Sequence, residues 1–169
     1  MNKNYIIVVL LLTSLSLTVC SSPKKLVKKA KQLKCDNPIE FIYDRMSDLV
    51  KLELIEQVHG DYTIPNYKSE FNHVISEFDK NIDSDIKVNN GFGFMYDSIL
   101  YVNTRIEKIT MTFGDLKTTL ETDINFSLRN NEIRITGVHS GHWETSTNRM
   151  FRKSLIHAVH QYLQMNCDY

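Results

Sequence analysis

Proline and glycine are scarce in this 169-residue chain, 3 and 6 respectively, and it holds only 3 cysteines and a single tryptophan. So few cysteines exclude a disulfide-dense miniprotein, and so little Pro and Gly exclude a collagen-like or low-complexity chain. Neither sign of charge is in excess: 20 Lys+Arg face 20 Asp+Glu, which argues against a nucleic-acid binder. The sequence has no Gly-x-Ser-x-Gly elbow, no phosphate-cradling glycine loop and no dinucleotide fingerprint. Gly91 and Gly93 in NNGFGF belong to a turn, because they do not open a helix. Internal repeats are missing too. What remains is ordinary: 42% hydrophobic residues and a mean hydropathy of -0.28, the profile of one globular domain.

The N-terminus places one positive charge, Lys3, before an apolar run from Tyr5 to Val19 that ends at Cys20-Ser21-Ser22. About 15 residues, interrupted by Thr13, Ser14, Ser16 and Thr18, fall short of the ~20 that span a bilayer. The pattern predicts a secretory signal peptide over 1–20 and an extracellular protein. Loss of that segment removes Lys3 and no acid, leaving 19 basic and 20 acidic residues. The remaining charge is unevenly spread. Lys24, Lys25, Lys28, Lys29, Lys31 and Lys34 occupy residues 21–35 without one acid, so residues 36–169 carry 13 basic and 20 acidic groups. Leu26, Val27, Ala30 and Leu33 recur at helical spacing within this basic segment. Such a stripe either packs on the domain, the favoured reading, or lies on an anionic membrane surface.

Without Cys20, two cysteines remain, Cys35 and Cys167. An even count in a secreted chain suggests a disulfide, here one that would close a loop of 132 residues, with pairing to another chain as the alternative.

Asp36-Asn37-Pro38 reads as a helix start, and Ile39, Ile42, Met46, Leu49, Val50, Leu52, Ile55 and Val58 predict an amphipathic helix over 39–58. Tyr62-Thr63-Ile64 reads as a short strand, and Tyr67 to Phe78 as a second helix. After Asp79 the period becomes two: Ile86 and Val88, a turn at Asn89-Asn90-Gly91, Phe92 to Tyr96, Ile99 to Ile106, Ile109 to Phe113, Leu120 to Leu128, and, past a hairpin at Arg129-Asn130-Asn131, Ile133 to His142. A final helix capped by Thr145 or Ser146 runs to Gln164. The order predicts an α+β fold, helices packed on a strongly curved antiparallel sheet, with an apolar pocket between them.

The passage LIEQVHGDYTIPNYKSEFNHVI (Leu54 to Ile75) and the hairpin LETDINFSLRNNEIRITGVHSG (Leu120 to Gly141) resemble the nuclear-transport-factor-2-like family, in particular its small secreted nematode-type members. The resemblance covers 36–143 and implies a cone-shaped α+β domain, flanked by the basic segment 21–35 and by an extra C-terminal helix in 144–169. Enzymes of that family, such as ketosteroid isomerases and dehydratases, use carboxylate, Tyr or His side chains inside the cone, while many other members are not enzymes.

Candidate chemistry is thin. Asp61-Tyr62 and Asp97 beside Tyr96 are acid and phenol combinations that a buried site can tune into a general acid and an oxyanion donor. His139/His142 and His157/His160 are each three apart, but no third ligand is in sight, so no metal or other cofactor is expected. Asn125-Phe126-Ser127 is an N-glycosylation sequon and predicts an exposed Asn125. The leading expectation is a secreted, non-enzymatic binding protein, holding a small apolar ligand in the cone or an extracellular protein on its surface. The alternatives are a small isomerase or lyase using Asp61, Tyr62 or Asp97, and a cationic membrane-surface factor acting through residues 23–34.

Overall fold

The computed structural model describes residues 22–56, 62–80, 99–142 and 146–167, and the backbone of 86–89. The segment 1–20 expected to be a signal peptide, Asp61, and the chain from Asn90 to Ser98 with Tyr96 and Asp97 lie outside these residues. Three helices, α1 (Pro23–Ala30), α2 (Tyr67–Asp79) and α3 (Thr147–Asn166), accompany six strands: β1 (Ile39–Tyr43), β2 (Leu52–Ile55), β3 (Ile86–Asn89), β4 (Leu100–Phe113), β5 (Thr118–Leu128) and β6 (Asn131–Gly141). The α+β class and the C-terminal helix match expectation. The sheet order is β3-β1-β4-β5-β6, with β2 also pairing β4.

β4, β5 and β6 form the expected antiparallel meander, in registers that include Ile106↔Ile124 and Ile124↔Ile135. The β5–β6 turn puts Arg129 at φ 57, the left-handed geometry that a two-residue hairpin turn demands. The other pairings are parallel, so the sheet is mixed: β1 pairs β3 on one side and β4 on the other, and β2 pairs β4.

The helix expected over 39–58 is instead β1, a 3-10 turn (Arg45–Leu49) and β2. Ile39, Phe41 and Tyr43 alternate inward while Met46 and Leu49, which would have continued a helical stripe, are exposed. β-branched and aromatic side chains suit a strand hydrogen-bonded on both sides, and that tertiary pairing overrides a chance three-to-four spacing. From Tyr43↔Thr104 to Leu52↔Ile109 the chain advances nine residues on one side and five on β4, and the 3-10 turn absorbs the excess. It sits beside the bulge of β4 between Ile106 and Lys108, where the strand changes which residues face the core. There the Ser47 hydroxyl accepts the Ile106 amide at 2.9 Å. We expect Ser47→Ala, which orphans this buried N–H, to cost about 1–3 kcal/mol by urea unfolding. An unchanged midpoint would remove the contact's importance. The strand anticipated at Tyr62-Thr63-Ile64 is not one; the segment runs as coil into α2, whose first turn is capped by Asn66 Oδ1 accepting the Ser69 amide at 3.0 Å.

α3 begins at the Ser146 cap and buries Phe151, Leu155, Ala158, Val159 and Tyr162, the stripe foreseen in the sequence. It lies so close to the sheet that Gly137 on β6 faces the Ser154 carbonyl, and Thr122 Oγ1 meets Ser154 Oγ at 2.7 Å. Ser154 spends its own hydroxyl proton on Phe151 O at 2.8 Å, so Thr122 is the donor. α1 buries Leu26, Val27, Ala30 and, just past its end, Leu33, and packs on α3. Cys35 and Cys167 are joined, with Cα atoms 4.4 Å apart.

Phe41 is the hub of the core. Its ring meets Phe71 of α2, Phe126 of β5 and Tyr162 of α3 at centroid distances of 6.4, 6.1 and 5.7 Å, and Phe126 stacks on Tyr162 at 4.5 Å. All four side chains are buried. The space expected to form an apolar pocket between sheet and helices is occupied, among the described residues, by these rings.

Candidate functional site

Of the predicted acid and phenol residues, only Tyr62 falls among the described ones. Its half-buried ring packs at a tilt on Phe113, 4.9 Å between centroids. The phenol–carboxylate contact that does form was not foreseen: Tyr43 on β1 donates to Asp48 Oδ1 of the 3-10 turn at 2.7 Å. Burial, and then the Asp48 hydrogen bond, push the Tyr43 hydroxyl far above its ordinary pKa. Tyr67 at the start of α2 donates to Val50 O at 2.9 Å and is likewise pushed up, mainly by burial. Both phenols therefore stay protonated, and both spend that proton tying the 3-10 turn to its neighbours. This is a brace rather than an acid–base relay. A helical reading of 39–58 hid it, because residues five apart do not share a helix face.

The histidine pairs do not converge. His142 donates from Nδ1 to Leu116 O at 2.8 Å, while His139 Nε2 lies 3.2 Å from Lys153 Nζ. His157 Nδ1 accepts the Val138 amide of β6 at 3.1 Å, covering an N–H on the outer edge of the sheet. His160 is buried at 3% exposure, and its Nε2 lacks a hydrogen-bond partner. Among the described residues no cluster of three His, Cys, Asp or Glu is arranged to hold a metal.

Burial lowers the pKa of His157, and burial, then Lys29 and His157, lower that of His160 against a raising hydrogen bond from Gln164. A histidine whose folded pKa lies below its unfolded value near 6.5 binds protons more readily unfolded, so stability present above that pH drains away as pH falls toward the folded pKa. We expect the melting temperature to drop between pH 7.5 and 5.5, and the drop to shrink in His160→Gln. A pH-independent melt would contradict this.

The face of β4–β6 turned away from the helices is polar. Arg134 bonds Asp123 at 2.9 Å and lies 3.4 Å from Glu107, and Thr136 donates to Asp123. On the same face a cleft of about 80 Å³ is lined by Asp44, Asn103, Arg105, Asn125, Ser127 and Glu132. Asp44 Oδ1 is held by the Met46 amide, and Asn125 Nδ2 donates to Glu132 Oε2 at 3.1 Å. Asn125 is half-buried, not exposed as expected: its Oδ1 is buried against the sheet while its Nδ2 reaches Glu132 across the hairpin. Ser127, the other sequon residue, lines the same cleft.

The basic segment forms the sharpest electrostatic feature. Its apolar stripe faces α3, and all six lysines are exposed. No helix among the described residues is long and apolar enough to cross a membrane, and the Cys35–Cys167 bridge is compatible with an extracellular protein.

No family model matches the chain, and no curated protein is similar to it. Among solved structures, a crystal structure described only as that of an uncharacterized protein is 10% identical, covers 78% of this chain and 90% of its own, and superposes with a TM-score of 0.34.

Proposed function

We infer that the protein is secreted and acts as a non-enzymatic binding module, engaging an extracellular partner through its surface rather than a small apolar ligand in its core. The packing among the described residues carries this reading: Phe41, Phe71, Phe126 and Tyr162 occupy the space between sheet and helices where a ligand would sit. The signal-like N-terminus and the Cys35–Cys167 bridge support secretion. The isomerase or lyase alternative rests on Asp61, Tyr62 and Asp97, of which Asp61 and Asp97 lie outside the described residues. Kinship with the nuclear-transport-factor-2-like family rests on helices packed on one face of a bulged sheet, and an Asn125-linked glycan on a sequon facing away from the helices. Native mass spectrometry of the protein recovered from culture medium tests the reading. An unliganded protein mass, with or without glycan, is expected; a retained apolar molecule would overturn it.

A further inference from the structure

We propose that the outward face of α1 binds a linear sulfated polysaccharide. Lys24, Lys25, Lys28 and Lys29 stand on α1, and Lys31 and Lys34 follow it. At 3.6 residues per turn the four helical lysines span an arc of about 140°, and Leu26, Val27 and Ala30 fill the opposite side. None of the ion pairs formed among the described residues includes any of the six. They form an uncompensated cationic array, while residues 36–169 hold 13 basic against 20 acidic groups and so add no net attraction for a polyanion.

Three observations select the partner. The apolar stripe of α1 is already buried, which leaves no side to enter a bilayer, so membrane adsorption would rest on charge alone. All six lysines are exposed, so a single small anion would not be held specifically; a chain of anions gains affinity by releasing its condensed counterions. The array is all lysine, flexible point charges that suit irregularly spaced anions better than a planar bidentate site. The choice of a sulfated glycan among polyanions rests on the extracellular reading above.

The test is affinity of the full, disulfide-bonded chain for immobilised heparin in rising sodium chloride, beside a variant carrying Lys24→Gln, Lys25→Gln, Lys28→Gln and Lys29→Gln. We expect retention at about 0.1 M salt and an affinity that falls linearly on logarithmic axes. The variant should bind more than about tenfold more weakly, with a salt slope shallower by about one per contacting lysine removed. Its melting temperature should be unchanged, which separates lost charge from lost fold. Absence of retention, equal retention of the variant, or equal binding to desulfated heparin would overturn the proposal. So would phosphatidylserine vesicles that displace the protein from heparin, which would favour a membrane surface. A chain that binds heparin yet is never recovered from medium would refute secretion and leave the binding face standing.

Discussion

Replacing both Cys35 and Cys167 by serine is expected to lower stability by about 4–5 kcal/mol, the chain-entropy value for a loop of this length. The bridge joins positions 132 residues apart. For a domain of this size the loss corresponds to a fall in melting temperature on the order of 10–20 °C. The effect should begin at α1. An eight-residue helix is too short to persist alone, so its order depends on burial of Leu26, Val27, Ala30 and Leu33 and on the covalent tie just beyond them. Hydrogen exchange over residues 23–35 should rise before exchange over β4–β6 does. Calorimetry of the oxidised and reduced protein checks the magnitude, and a shift below about 2 °C would mean that the bridge closes an interface already fixed by packing.

Gly137→Ala is the second large effect, and its sign is decided by one distance. In an open strand alanine is favoured over glycine, by roughly 0.5–1 kcal/mol. Here a Cβ would fall 2.1 Å from the Ser154 carbonyl oxygen and 3.0 Å from the Ala158 Cβ. The obstacle is helix backbone, so α3 would have to lift from the sheet, straining the Thr122–Ser154 hydrogen bond beneath it. Overpacking of this kind typically costs 1–3 kcal/mol, and we expect a loss at or beyond the top of that range, about 3 kcal/mol. Thr136→Ala, next door but on the opposite face, gives up only an exposed hydrogen bond to Asp123 and should cost well under about 1 kcal/mol. Equal effects of the two substitutions in urea unfolding would contradict the close approach.

The parts of the fold that were legible are those whose partners are near in sequence. β5 and β6 announce themselves by alternation and by the turn between them, α2 and α3 by caps and a three-to-four stripe, and the disulfide by cysteine count. β1 was misread because Ile39, Ile42, Met46 and Leu49 mimic a helical stripe; its aromatic and β-branched composition was the better signal. Parallel pairing of β1 and β2 with β4 joins residues more than fifty apart, and nothing local encodes it. The Tyr43–Asp48 brace fell with the same misreading. The need for glycine at 137 comes from the close approach of the helix that follows β6, at Ser154, which a single strand cannot reveal. The lysine face of α1, by contrast, was readable in full, because exposure of charge beside a buried stripe follows from helical geometry alone.

We propose a secreted domain in which the Cys35–Cys167 bridge ties the segment after α1 to the end of α3 and the surface does the binding. Peptide mapping without reduction, on protein recovered from the medium of expressing eukaryotic cells, tests it most directly. We predict a chain lacking residues 1–19 and a single disulfide-linked peptide pair containing Cys35 and Cys167. Retention of residues 1–19, or two free thiols at those positions, would contradict it.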